Sequence, residues 1–505
     1  MTDSASEHER AANVRPPAWK NPEPRRSYHL VIIGGGPAGL AAAHAAAALG
    51  AQVALVERDR LGGTDLNVGT VPSKAIIQSS RVFAELRDSV RYGVPGPADV
   101  DLDFAAIMQR MRRVRARVSR DASAAQLVTA GVDVFFGAAS FVTGEAIEVA
   151  GATLRFGKAL IATGSRPHMP AIPGLLESNL LTNETVFDLT KLPERLLVIG
   201  GGPLGCELAQ AFHRLGARTT IAQNRPLFLP NEERDAAQIL SDAFARDGLE
   251  VRLNTTVTGV RSVAGETVVD MVSDDYHSTA TVDAIFNGTG RRPNVEGLNL
   301  AAAKVDHDPV AGIYVDDLLR TTNRRIYAAG DVCVEHKFTH IAEATGRMVV
   351  RNALFMGRER LSDLVVPWCT FTDPEIAHVG RSVRSAHDRD VPVTTYVIPL
   401  HEVTRAITDG IEIGFVKLHV RDGTDHLLGA TIVARHAGEM IGEVTAAMTA
   451  GVGLRTLARV LHTSPVQASA IQMAAQAFCR TQLTPSLKAR LMRWLARGTD
   501  GSPVR

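Results

Sequence analysis

The sequence predicts an α/β protein with two Rossmann-like dinucleotide-binding domains followed by a C-terminal α+β domain. Three observations carry that prediction. The apolar run HLVII (29–33) enters Gly34-Gly35-Gly36-Pro37-Ala38-Gly39 and then the alanine-rich LAAAHAAAALG, a strand, a tight turn and a helix. The same pattern returns at LLVIGGGPLGCELAQAFHRLGARTTIAQ (196–223), and two such units imply two dinucleotides. From about Val366, β-rich patterning (GFVKLHV, LLGATIVA) gives way to a helical run from Ala437 to Cys479, the order of a separate domain.

In the first unit Gly34 permits the turn, Gly36 lets backbone amides approach a pyrophosphate, and Gly39 allows close helix packing. The second strand, AQVALVE, ends at Glu57, about twenty residues past the glycines, where an acid accepts from a ribose hydroxyl. In the second unit Gly200, Gly202 and Gly205 repeat the glycines, but Gln223 stands where an NADH-preferring unit often has an acid. The usual bar to a 2′-phosphate is therefore missing. Arg225, with Arg218 near it, would pair with that phosphate, so NADPH is favoured over NADH.

Composition excludes several classes. A chain of 505 residues with 45% hydrophobic content supports several cores, about three or four domains by size. The 55 basic and 54 acidic residues nearly cancel, so no global charge favours nucleic acid. Cys206, Cys333, Cys369 and Cys479 form no CxxC or CxxxxC pair; they read as buried apolar residues in a reducing cytoplasm, with no metal site. Residues 1–27, polar and broken by Pro16, Pro17, Pro22 and Pro24, read as a flexible leader, not a signal peptide. No apolar run approaches the roughly 18 residues of a membrane span. Arg110, Arg112, Arg113, Arg115, Arg117 and Arg120 load one helix with charge, read as a solvated face or subunit surface in preference to an anion site.

The stretch GGTDLNVGTVPSK (62–74), with ATGSRP (162–167), GTGRRPN (288–294) and IYAAGD (326–331), resembles the flavoprotein disulfide reductases, which include dihydrolipoamide dehydrogenase, mercuric reductase and glutathione reductase. The resemblance is colinear over about residues 28–480. It implies a leader (1–27), an FAD domain in two parts (28–160 and 291–362), an NAD(P) domain (161–290), a dimerisation domain (363–483) and a basic amphipathic tail (484–505). FAD would lie against Gly34, Gly36, Gly39, Glu57, Gly63, Thr64, Lys74, Thr163, Gly164, Gly330 and Asp331, the last on the ribityl chain. NAD(P)H would lie against Gly200, Gly202, Gly205, Arg225 and Gly290. Lys74 and Glu207 match the family's ion pair between flavin and nicotinamide.

The family frame reads GGTCxNxGCxPSK, so Asp65 and Thr70 occupy both positions of its redox-active cysteines. The tail motif HxHPTxxE, whose His–Glu pair serves the partner subunit's dithiol, is changed with them: Ser464 and Ser469 hold those two positions. A base that deprotonates a thiol has no task where no thiol exists. His462, two residues from the family position, reads as structural. The terminal cysteine pair of mercuric reductases is missing too, and mercury needs soft thiolate ligands. Thr70-Val71-Pro72-Ser73-Lys74 is similar to soluble pyridine nucleotide transhydrogenases, whose motif lacks the second cysteine.

The expected function is therefore that of a homodimeric FAD enzyme that takes hydride from NAD(P)H and passes electrons directly to a quinone, a second nicotinamide, dioxygen or another small electrophile. Asp65 and Thr70 would line the flavin face, Asp65 as proton donor or as polar filler. A transhydrogenase-like enzyme is one alternative, and a non-catalytic FAD-binding scaffold another. In the tail SLKARLMRWLARG (486–498), Leu487, Leu491, Trp494 and Leu495 recur at helical spacing among Lys488, Arg490, Arg493 and Arg497. That suits either a helix packed on its own dimer, the preferred reading, or a peripheral membrane contact.

Overall fold

The computed structural model describes residues 3–96, 102–274, 276–388 and 390–499. It divides into two compact units, residues 1–228 with 244–364, and residues 229–243 with 365–505.

The larger unit is organised by two sheets, the first parallel but for one antiparallel hairpin and the second parallel throughout. In the first, β1 (Tyr28–Ile33) lies between β2 (Val53–Glu57) and β6 (Ala152–Ile161), with β3 (Val132–Phe136) outside β2. The hairpin β4 (Ala139–Thr143) and β5 (Ala146–Val149) continues from β6. β1 and β2 read as nearly continuous apolar runs because both faces of the sheet are buried there. Leu30 and Ile32 pack on one side, while Val31 and Ile33 pack on the other with Phe135 and Phe141. The second sheet runs β10 (Glu250–Arg252), β9 (Arg218–Ala222), β8 (Arg195–Ile199), β11 (Ala284–Asn287) and β7 (Leu180–Leu181), all parallel. The chain then returns, and β12 (Ile326–Ala328) pairs with β6 in the first sheet.

Helix α2 (Pro37–Ala48) follows the first glycine turn with Pro37 in its first turn, a position that needs no amide donor. Its alanines let the helix at 339–354 come very close. A Cβ on Gly346 there would sit 2.2 Å from the Ala38 carbonyl oxygen. Small residues on both helices are what that approach requires.

In place of the expected flexible leader, Asp3–Val14 forms helix α1, with Val14 fully buried. Trp19 packs edge-on against Phe136, ring centroids 5.6 Å apart. The arginine-rich segment, the helix Phe104–Val118 with the turn Ser119–Ala122 after it, is the partner. Arg115 pairs with Glu7 (2.8 Å), Arg120 pairs with Glu9, and Arg110 donates to the Ala75 carbonyl (2.8 Å). The solvated-face reading is thus corrected for Arg112 and Arg115, which are buried. Apolar patterning carries no sign of this docking, because its polar contacts join segments about a hundred residues apart.

The smaller unit is a five-stranded antiparallel sheet in the order β13 (Pro367–Thr370), β14 (Glu375–Gly380), β17 (Leu427–Ala434), β16 (Phe415–Arg421) and β15 (Val393–Pro399). Residues 229–243, expected within the NAD(P) domain, belong to this unit. Trp368 Nε1 donates to Glu232 (2.8 Å), and Lys417 pairs with Glu233 (2.7 Å). The helical run expected from Ala437 to Cys479 is broken into Ala437–Thr449, the single turn Leu454–Leu457 and Ser469–Thr481. Gly451, at φ +65°, ends the first, and Pro465 lies in the second gap. The tail is helical over Pro485–Thr499, with Leu487, Leu491, Met492, Trp494 and Leu495 exposed; the Arg497 side chain lies outside the described residues. No helix among the described residues is long and apolar enough to cross a membrane.

Candidate active site

The first glycine turn forms a cradle. A Cβ on Gly34 (φ +110°) would meet the Ala162 carbonyl oxygen at 2.3 Å, and one on Gly39 would meet the Gly34 oxygen at 1.9 Å. At Gly36 the nearest atom would be the Gly63 Cα, 3.8 Å away. Two glycines are thus consumed by packing, while Gly36 faces open space at the N-terminus of α2. No side chain caps that end and its first turn has no acid, so its amides remain available to a pyrophosphate. Glu57 is buried at the end of β2. Burial raises its pKa, opposed by the amides of Asp59 and Gly35, each donating to one carboxylate oxygen at 2.7 Å. Each oxygen keeps a lone pair for a ribose hydroxyl. This donor and acceptor set fits FAD.

At the other end of the cradle, Gly330 (φ +72°) places Asp331 in a network with Ser165 and Arg291, neither of them in the expected set. The Ser165 hydroxyl donates to Asp331 (2.6 Å), and Arg291 donates to the Ser165 hydroxyl (2.7 Å), to its carbonyl (2.8 Å) and to Thr64 (3.3 Å). Burial pulls the Arg291 pKa down and Asp331 opposes it. Thr163 and Asn294 bond each other's carbonyls, and Gly164, at φ +68°, follows. The motifs ATGSRP and GTGRRPN contain Ser165 and Arg291. Their meeting at Asp331 needed the fold.

Lys74 lies in the helix Thr70–Arg87, which packs on the helix Pro203–Arg214. Its ammonium meets Glu207 at 2.7 Å, with Glu207 4% and Lys74 31% exposed. Asp65 and Thr70 converge on Thr339, the first residue of the helix Thr339–Leu354. The Thr339 hydroxyl donates to Asp65 (2.6 Å) and lies 3.4 Å from the exposed Thr70 hydroxyl. Sequence reading missed Thr339, because it lies more than 260 positions along the chain from both partners.

The second turn repeats the first. Cβ atoms on Gly200 and Gly205 would collide with backbone at 2.6 and 2.2 Å, whereas one on Gly202 would meet nothing within 4 Å. The Gly201 amide donates to Gln223 (3.0 Å) as the Gly35 amide does to Glu57, both across 22 positions. Gln223 therefore keeps the structural bond of the acid without its charge. Arg225 is exposed just beyond, and Gly290, at φ +113°, is open. Arg218 is not near Arg225. It starts the strand that Gln223 follows, about 16 Å back at ~3.3 Å per residue.

Ser464 is exposed, and the Ser469 hydroxyl donates to Val466 (2.8 Å). His462 pairs with Glu443 at 2.9 Å. No disulfide joins the four cysteines. Burial pushes the Cys206 thiol well up and the Cys333 thiol to about 12.

Residues 28–356 match the pyridine nucleotide-disulphide oxidoreductase family, and residues 366–475 match its dimerisation domain, which indicates a homodimer. A mercuric reductase of Streptomyces lividans is 35% identical over 89% of this chain and 96% of its own. A dihydrolipoyl dehydrogenase of Chlamydia muridarum is 30% identical over 88% and 95%. Among solved structures, LpdA of Mycobacterium tuberculosis gives a TM-score of 0.82 at 29% identity, over 89% of this chain and 99% of that one. The HOCl-induced flavoprotein disulfide reductase RclA of Escherichia coli gives 0.79 at 27%, over 89% and 99%. The chain belongs to the pyridine nucleotide-disulphide oxidoreductases, with FAD as cofactor and NAD(P)H as substrate.

Proposed function

We propose that this enzyme delivers electrons from NADPH directly to a small acceptor, without a dithiol relay. The observation that carries the reading is the hydroxyl of Thr339 lying between Asp65 and Thr70, in a segment that holds no sulfur. Bound FAD supplies the two-electron exchange between nicotinamide and acceptor. Lys74 and Glu207 hold fixed, opposite charges at the nicotinamide approach, and Gly34, Gly36, Gly39, Gly63, Thr64, Thr163, Gly164, Gly330 and Asp331 form the cradle.

Asp65, Thr339 and Thr70 supply the proton path. Hydroxyls both accept and donate, so a proton that Asp65 gives to the reduced acceptor is replaced by one taken up at the exposed Thr70 oxygen and relayed through Thr339, which donates to Asp65. An acceptor that is protonated as it is reduced suits that path, and a quinone is one such acceptor. The fully buried Cys206 and the half-buried Cys333, whose thiols desolvation raises well above their ordinary range, support the absence of a substitute dithiol.

Anaerobic titration with NADPH tests the reading. We expect reduction to end at about two electrons per flavin, one flavin's capacity, with no long-wavelength thiolate band. Uptake of four electrons with such a band overturns it.

The nicotinamide preference has its own test. Arg225→Ala removes a charge-assisted partner of the 2′-phosphate, so KM for NADPH should rise about 10- to 100-fold while KM for NADH stays nearly constant. Equal changes for both nucleotides would assign Arg225 no part in the choice.

A further inference from the structure

The segment 61–70 has little conformational preference of its own. Gly62 and Gly63 both adopt positive φ (+86° and +54°), Gly69 is irregular, and the helix Gly63–Val68 between them is six residues long. Such a short helix is not stable by itself, and glycines add to the entropy lost on ordering it. Yet the segment forms a wall of the cradle. Gly62 donates to the Gly35 carbonyl (2.8 Å), and a Cβ on Gly63 would come within 2.8 Å of the Gly36 Cα. It also carries Thr64, Asp65 and Thr70.

Its anchor comes from α1, which precedes the residues matched by the family. Arg10 donates to Asn67 Oδ1 (3.0 Å), and the Leu61 amide donates to the Val14 carbonyl (3.0 Å). Arg115 donates to the Asn67 carbonyl (2.9 Å) and is itself held by Glu7 (2.8 Å), which also accepts from Arg10 Nε (3.0 Å). Asn67, 3% exposed, passes the restraint inward by donating to the carbonyls of Leu61 and Gly63, both at 2.9 Å. Every polar group of the Asn67 side chain, and its carbonyl, is thereby engaged.

We propose that α1 is a positioning clamp: through Arg10 and the Glu7-anchored Arg115 it grips Asn67, and so sets how tightly FAD is retained and how the 61–70 segment is held. The proposal rests on the assignment of Gly63 and Thr64 to the FAD cradle. Arg10, Glu7 and Arg115 are positioning residues that act through Asn67.

The test uses the full-length holoenzyme with Arg10→Ala, Glu7→Gln and the double variant, followed by FAD release and by amide hydrogen exchange. We expect FAD release about tenfold faster in the double variant, as for the loss of charged hydrogen bonds. Exchange should rise across 61–70 and stay constant in the strands at 195–199 and 218–222. Arg10→Lys should restore part of the retention. Arg120→Ala, which breaks the pair with Glu9 of α1 and does not reach Asn67, should change neither readout. Unchanged FAD release in the double variant overturns the proposal. So does an equal effect of Arg120→Ala, or exchange that rises equally in the distant strands, since either reports general docking or unfolding. The electron count per flavin tests the direct-acceptor reading separately.

Discussion

Replacing Glu207 by alanine is expected to slow reduction of the bound flavin by NAD(P)H about tenfold to a thousandfold, the range for removing one fixed electrostatic stabiliser. Glu207 is 4% exposed and pairs with Lys74 at 2.7 Å, so its removal leaves an ammonium without that partner beside the proposed nicotinamide approach. Losing one member of a fully buried pair costs about 3–5 kcal/mol. Lys74 is 31% exposed, so water offsets much of that cost, and the variant should fold and keep FAD. Stopped-flow absorbance gives the reduction rate, and the spectrum before mixing gives flavin content. A wild-type rate at full flavin content would reduce the pair to a structural role. Loss of flavin would instead place Glu207 in the cradle's support.

Gly36→Ala is expected to produce a folded protein that binds FAD about a hundredfold more weakly or worse. The added methyl would lie no closer than 3.8 Å to any protein atom in the immediate surroundings, and Gly36 has a φ of −79° that alanine adopts without strain. The damage falls on the ligand, because the methyl enters the space through which a pyrophosphate reaches the α2 amides. Gly34→Ala is the contrast. Its methyl would collide with the Ala162 oxygen at 2.3 Å and force a non-glycine residue to φ +110°, so the fold itself should suffer. Thermal melting of the apoproteins and FAD titration separate the two cases. Wild-type FAD affinity in Gly36→Ala would remove the turn from the binding site.

Much of this architecture was legible because its signals are local. A strand, three glycines and a helix occupy adjacent residues, and the acid or amide that closes the unit follows at a set interval, so Glu57 and Gln223 could be matched before either was seen to accept from Gly35 or Gly201. The pairing of Lys74 with Glu207 was also foreseen, through resemblance; 133 residues separate the two, and nothing in local pattern joins them. The polar leader looked flexible because pattern reading weighs apolar periodicity, whereas α1 docks largely through ions and hydrogen bonds.

The nucleotide units and the family are written in the local sequence, as is a 62–74 stretch that holds Asp65 and Thr70 and no cysteine. Only the tertiary structure decided that Thr339 stands between those two side chains, that Ser165 and Arg291 meet Asp331, and that Arg10 and Arg115 converge on Asn67. The physical reason is range. Backbone conformation and burial pattern are written within a few residues, while a hydrogen bond depends on a few tenths of an ångström between groups that only the packing of whole elements brings together.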